Sequence, residues 1–459
     1  MRIRTAALPA LLLSAGAGGR LPAQDVVKAV RTAHGAAPAA AYREGQVIVA
    51  FREAAEARDV ERALRSGGGV GARRSRSAVA RFLVTLGPGL SVEEAVQSFS
   101  RMPEVEYAEP NGLVHRSQGA TFKPDDRFYK YQWNLTLVNA ERTWGIQKGK
   151  SSVAVAVLDS GIAYEDYTDP RTGVAYKKAP DWGDTKFLPG YDFVNGDSHP
   201  NDDEYHGTHV ASTIAEATNN GLGMAGLAFG CALMPVKVLD ADGNGTFFDV
   251  ADGIDFAADY TEGGQKPVKV ISMSLGSEST SQAVSSAVDR AFAAGVLLVA
   301  AAGNSGKGSV EFPANLAHVV GVGALDERKE RARYSNFGSD LDLMAPGGDC
   351  DRDDNGDGVP DCVFQQMPDP DYLDVGRHDQ FCYCGLDGTS MATPHVAAAA
   401  ALLFSQGFTD PAAVRAALEQ AAERIGGAPA GGRNDNYGYG LVLPAGALPG
   451  LGVDVGAKD

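Results

Sequence analysis

Apolar residues in the larger, C-terminal part of this chain gather into short unbroken runs. Val153-Ala154-Val155-Ala156-Val157-Leu158, Leu233 to Leu239, Val268 to Met273 and Val299-Ala300-Ala301-Ala302 have the length and continuity of parallel strands covered on both faces. Val396 to Phe404 is almost wholly Ala and Leu, which predicts a helix apolar all round and therefore buried. Thr389 and Ser390 stand at its start, with Pro394 in the first turn. Asp410 to Ile425 reads as an amphipathic helix. The fold class these elements predict is α/β, a parallel sheet flanked by helices.

Nearer the N-terminus the elements are shorter and mixed. Val47 to Phe51, Ala80 to Leu86 and Val105 to Pro110 read as strands, and Ala54 to Ser66 and Val92 to Phe99 as helices. They predict a small separate α+β unit over 43–116. Before it, Arg2 and Arg4 precede the apolar stretch Ala6 to Leu13 and the small residues around Ala15-Gly16-Ala17 and Leu21-Pro22-Ala23. That is the layout of an export signal over 1–23, too short to span a membrane, followed by an Ala-rich linker over 24–42.

Composition narrows the choice of partners. Formal net charge is -17, and residues 117–459 carry 25 Lys and Arg against 47 Asp and Glu. Such acidity excludes nucleic-acid binding by phosphate attraction and favours a repelling, soluble surface.

Four polar residues then bring chemistry to the apolar frame. Asp159 ends the Val153–Leu158 strand, where open α/β sheets place their sites. His206 opens His206-Gly207-Thr208-His209, and Asn304 follows the strand ending at Ala302-Gly303. Ser390 lies in Gly388-Thr389-Ser390-Met391-Ala392. A serine nucleophile, a histidine base, an acid to orient the histidine and an amide for the oxyanion are the parts of acyl transfer. The order Asp, His, Ser and the absence of G-x-S-x-G around Ser390 disfavour an esterase of the α/β-hydrolase kind. Taken alone, Ser390 is an ordinary helix cap.

With those motifs in place, the chain resembles the subtilisin-like (subtilase) serine endopeptidases from about Pro124 to about Ala447. The resemblance implies catalytic roles for Asp159, His206, Ser390 and Asn304, and structural ones for His209 and His395. Ser212 departs from the usual Gly. Residues 43–116 resemble the family's inhibitory, ferredoxin-like propeptide, which implies an autoprocessed zymogen cut near His115-Arg116-Ser117-Gln118-Gly119, with 117–459 as the catalytic domain. Peptide substrates are expected to add as a strand between Gly243-Asn244-Gly245 and Ser274-Leu275-Gly276, with Phe247 and Val250 either lining a further apolar pocket or belonging to the core. Glu311, before Phe312-Pro313, falls where relatives form the primary specificity pocket; a carboxylate there implies preference for Arg or Lys, unless it is simply solvated. Secretion, a monomeric state and no membrane partner complete the expectation, along with catalysis that needs no cofactor.

An insertion over 349–385 adds a second theme. Asp353, Asn355, Asp357, Val359 and Asp361 alternate around Gly356 and Gly358 as in calcium loops, which predicts a structural Ca2+ site; a solvated acidic loop is the alternative. Cys350, Cys362, Cys382 and Cys384 predict disulfides rather than zinc. Direct closure of Cys382 on Cys384 is expected to be strained, leaving either each of them paired with Cys350 or Cys362, or Cys350 with Cys362 alone. Cys231 is expected to be a buried free thiol. Asn219-Asn220-Gly221 is a weaker candidate for a second calcium site.

Overall fold

The computed structural model describes residues 6–7, 42–52, 54–75, 80–112, 121–427 and 432–448. The chain separates into two compact units, one of residues 14–118 and the other of residues 1–13 and 119–459. The export segment apart from Ala6–Ala7, the linker apart from Tyr42, and the expected processing stretch 115–119 lie outside the described residues.

The smaller unit runs β1 (Tyr42–Phe51), α1 (Ala57–Ser66), β2 (Gly69–Arg74), β3 (Arg81–Leu86), α2 (Val92–Ser100) and β4 (Val105–Gly112). Its strands form an antiparallel sheet in the order β2-β3-β1-β4. Val47, Val49 and Phe51 alternate onto one face and meet Ala63 of α1 and Phe99 of α2. A capping box starts α2: Ser91 Oγ accepts from the Glu94 N–H, and the Glu94 carboxylate accepts from the Ser91 N–H. The edge strand β2 has no apolar run to announce it. Its Gly- and Arg-rich residues are mostly exposed, and pairing with β3 rather than burial holds them.

The larger unit contains β5 (Ala154–Asp159), β6 (Tyr191–Asp192), α3 (His206–Ala215), β7 (Ala232–Lys237), α4 (Phe247–Asp259), β8 (Val268–Met273), α5 (Gln282–Ala293), β9 (Leu297–Ala301), β10 (Val319–Leu325), β11 (Leu343–Pro346), β12 (Val363–Pro368), β13 (Phe381–Leu386), α6 (Thr389–Gln406) and α7 (Pro411–Ala421). Seven strands make one parallel sheet in the order β11-β10-β9-β8-β5-β7-β6. Every residue of β5, β7, β9 and β10 is buried, as continuous apolar strands between helices require. The chain leaves β5 toward β7 on one side and returns to β8 on the other. The C-terminal end of β5 is therefore a topological switch point, and Asp159 occupies it.

The helix α6 is buried along nearly its whole length and packs on α3 and on β8, β9 and β10. Pro394 lies deeper in it than the first turn expected from sequence. Having no N–H, Pro394 leaves the Ser390 carbonyl without a helical donor, and the Ser274 hydroxyl donates to that carbonyl instead, at 2.8 Å.

Within the insertion the disulfides are Cys350–Cys362 and Cys382–Cys384. The first is among the expected pairings; the second overturns the exclusion of so short a link. Cys382 and Cys384 are two apart on β13, so both side chains leave the same face of the strand, and their Cα atoms are 5.4 Å apart. Cys231 is buried and free, as expected.

Candidate active site

The sheet's switch point brings three segments together. Asp159 is fully buried, and its Oδ1 lies 2.7 Å from His206 Nδ1 while accepting the Ser160 N–H at 2.8 Å. His206 is the first residue of α3, entered through Tyr205 at φ 102. A neighbouring carboxylate, Asp202, builds this entry. It accepts from the Ser160 hydroxyl, from the Glu204 and Tyr205 N–H groups, and from both the N–H and hydroxyl of Thr208. Five donors on one buried acid lock the loop before His206 to the end of β5.

A buried cation braces the same junction from below. The Lys237 ammonium donates to Asp203 Oδ1 at 2.6 Å and to the carbonyls of Ser160 and Leu239 at 2.7 Å each. The strand end carrying Asp159 is thereby tied to the loop before His206 and to the approach to Gly243–Gly245. Asp202, Asp203 and Lys237 were not singled out from sequence.

Ser390 sits in the first turn of α6, against Ser274 just past the end of β8, the strand next to β5. Its hydroxyl donates to the Ser274 carbonyl at 3.2 Å rather than to His206, so the two serines bond reciprocally. Asn304 is held by its carbonyl oxygen, which accepts from Thr389 N–H at 2.8 Å and Thr389 Oγ1 at 2.9 Å. That orientation leaves the Asn304 NH2 group to donate beside Ser390. His209 and His395 are fully buried: His209 Nε2 is 2.9 Å from the Val363 carbonyl, and His395 joins the Met391 carbonyl to Asn134. Burial lowers the first to about 3 and the second to about 4, so both are neutral.

A cleft of about 570 Å³ opens beside His206, lined by that residue, by Gly243–Gly245 and by Ser274–Gly276. Phe247 and Val250 line it as well. The half-buried Glu311 packs against Gly276, which lines the cleft, and against Gly303. A β-carbon added at Gly303 would lie 2.6 Å from its Oε1, and one at Gly276 would lie 2.8 Å from its Oε2. Its Oε1 also accepts from Asn336 Nδ2 at 3.3 Å.

The acidic insertion loop is organised by its own backbone. Asp353 accepts from the N–H groups of Gly356, Asp357 and Gly358, Asn355 from Asp357, and Asp357 from Val359. Among the described residues no three His, Cys, Asp or Glu side chains converge closely enough to hold a metal ion as they stand. Two features nonetheless suit a cation. Asp361 is buried with Oδ1 unpartnered, and burial together with the adjacent Asp361 carboxylate lifts Glu327 to about 7. Glu327, which also accepts from Asn355 Nδ2, comes from a distant loop and carries no sequence signal. At Asn219–Asn220 the backbone N–H groups donate to Asp126, and the Asn220 side chain donates to Asp181.

Comparison with known proteins fits this geometry. The model of the Subtilase family matches residues 150–440, and the chain belongs to that family. The Fervidolysin N-terminal prodomain model matches residues 28–111, beginning inside the stretch read as linker. The protein is thus a subtilisin-family serine endopeptidase with an N-terminal prodomain, a hydrolase of protein substrates. A thermophilic serine proteinase of Bacillus sp. (strain AK1) is 36% identical over 388 residues, 84% of each chain. Thermitase of Thermoactinomyces vulgaris is 34% identical over 307 residues, covering 67% of this chain and 94% of its own. Among solved structures, a protease of Pseudoalteromonas arctica PAMC 21717 aligns with a TM-score of 0.58 at 30% identity, over 71% of this chain and 98% of that one. Among the described residues no helix is long and apolar enough to cross a membrane.

Proposed function

We propose that the protein cleaves peptide bonds through an acyl-enzyme formed on Ser390. The observation that carries this reading is the 2.7 Å contact of Asp159 Oδ1 with His206 Nδ1; Ser390, at the start of α6, is bonded to Ser274 just past the end of β8, the strand next to β5. Ser390 Oγ attacks the scissile carbonyl and passes its proton to His206 Nε2. His206 returns that proton to the leaving amine as the C–N bond breaks, and water, deprotonated by the same histidine, releases the acyl group. Asp159 keeps the imidazole in the tautomer with Nδ1 protonated and stabilises the imidazolium. The Asn304 NH2 group and the Ser390 N–H donate to the oxyanion.

The substrate lies as an extended strand between Gly243-Asn244-Gly245 and Ser274-Leu275-Gly276. Glu311, wedged between Gly276 and Gly303, favours Arg or Lys on the acyl side of the scissile bond. The prodomain acts as intramolecular inhibitor until cleavage in 115–119 leaves 117–459 as the mature monomer, exported under the signal 1–23. A structural Ca2+ would be held by Asp353, Asn355, Asp357, the Val359 carbonyl and Asp361, with Glu327 added. It would offset the repulsion between these carboxylates.

Labelling with a fluorophosphonate after prodomain removal, together with casein digestion, tests the catalytic reading. Both are expected in the native enzyme and absent in Ser390→Ala. A native enzyme that neither labels nor digests casein would instead be a silent scaffold.

A further inference from the structure

The strand β7 is apolar from Ala232 to Val236 and then ends on Lys237, which is fully buried and stands directly across the sheet from Asp159. An ammonium taken out of water is costly unless its protons are bonded. Here all three are used, on Asp203 Oδ1 at 2.6 Å and on the Ser160 and Leu239 carbonyls at 2.7 Å each. A methionine would fill the same position without that cost, so packing of the sheet does not call for the lysine.

The groups that the ammonium joins point to its task. Ser160 follows Asp159, and its N–H donates to Asp159 Oδ1 at 2.8 Å. Asp203 stands three residues before His206. One side chain therefore grips both flanks of the 2.7 Å contact between Asp159 Oδ1 and His206 Nδ1. Asp202 and Glu204, on either side of Asp203, also act on the imidazole, as does the neutral His209 of α3. Around Lys237 stand Asp192 of β6 and the half-buried His378 of the insertion, whose pKa burial lowers.

We propose that Lys237 is a positioning residue for the reaction: its ammonium clamps the residue after Asp159 to the loop before His206, and so holds carboxylate and imidazole at bonding distance. The assignment rests on the peptidase reading above and deepens it, since Lys237 acts through Asp159 and His206 and touches no substrate.

Lys237→Met and the double variant Lys237→Met/Asp203→Asn test it, with rates on one peptide counted per fluorophosphonate-labelled site. Both are expected to lose on the order of a hundredfold in kcat/KM. The rising limb of kcat should also move to lower pH, because a looser Asp159 lifts His206 less. Loss of the Lys237 charge by itself would push the limb the other way. The double variant leaves neither partner as an unpaired buried charge, so its melting temperature should recover toward the native value while the limb stays shifted. Where Lys237→Met alone does not fold, the double variant carries the comparison. Arg415→Met breaks an ion pair with Asp342 beside the edge strand β11 and should lower the melting temperature with the limb in place. A limb that stays or rises in the Lys237 variants, a double variant that does not fold or that regains native kcat/KM with its melting temperature, or an equal movement in Arg415→Met overturns the assignment. A native enzyme that neither labels nor hydrolyses the peptide is a different failure: it removes the peptidase reading, and this assignment with it.

Discussion

Gly303 and Glu311 share one space: a β-carbon on Gly303 would lie 2.5 Å from Glu311 Cδ and 2.4 Å from Asn336 Nδ2. Gly303 also holds φ at +103, a conformation that costs any other residue. Gly303→Ala is expected to lower stability by about 2–4 kcal/mol. Because Asn304 is the next residue, kcat/KM should fall at least tenfold as well. Calorimetry and peptide hydrolysis check both; a variant unchanged in each would show that the wall yields freely.

Glu311→Gln keeps the shape of the side chain and removes its charge. Matched peptides with Arg, Phe or Leu on the acyl side of the scissile bond should show an Arg preference in the native enzyme that drops by roughly ten- to a hundredfold in the variant. Equal preference in both enzymes would leave Glu311 as a wall residue only.

Burial by itself would depress His206, but the charge and hydrogen bond of Asp159, reinforced by Glu204 and Asp202, lift it to about 9. A general base works deprotonated, so kcat on a single peptide should climb with pH through about 9. The same shift stabilises the fold fully below the unfolded value near 6.5, and that contribution is lost as pH rises through about 9. Asp159→Asn should cut kcat by roughly 10⁴-fold and move the rising limb to lower pH. A limb that stays in place would mean that another group sets it.

Chelation should act on stability and activity together. The insertion is tied to the serine motif where the Cys350 N–H donates to Asp387, which directly precedes Gly388. Removing Ca2+ with a chelator is expected to lower the melting temperature by several degrees, equivalent to about 2–3 kcal/mol for a site held at a hundredfold excess over Kd. Activity should decline with it, and Asp361→Asn should abolish the response to chelator. Melting and activity indifferent to chelator would reject the site.

Glu216 is fully buried with neither oxygen well partnered, and burial, with Asp181 and then Asp126 adding like charge, holds its pKa well above 4.5. The folded state thus keeps a proton that the unfolded chain releases at lower pH. Its contribution is present below the unfolded pKa and drains away as pH rises toward the folded one. Glu216→Gln should therefore gain on the native protein by about 1–3 kcal/mol at pH 9 and gain less at pH 5, nearer the unfolded pKa. Thermal melts at the two pH values decide it.

The strands β5, β8 and β9 were legible because unbroken apolar runs have few other uses, and α6 because it is apolar all round. The edge strand β2 was not, since pairing with β3 rather than side-chain burial stabilises it. The start of α1 falls at Ala57 rather than Ala54, a shift of the size that local propensity leaves open. The Cys382–Cys384 link ran against the exclusion of so short a pairing, since two alternate residues on a strand share a face. Glu204 and Asp202 belong to a run of acids before His206 that reads as solvated surface until burial is known.

By itself the sequence determined the class of sheet, the motifs around Asp159, His206, Asn304 and Ser390, and the division into a small unit and a larger one. These follow from local periodicity and from residue types adjacent in the chain. Only the tertiary structure decided that the Asp202 carboxylate and Lys237 brace the junction of Asp159 with His206, that Ser274 satisfies the carbonyl freed by Pro394, and that Glu204 lines the cleft while Glu311 packs against Gly276. Burial and charge pairing depend on groups brought together from distant segments. Those meetings are set by the winding of β7 and β8 to either side of β5, which no local pattern specifies.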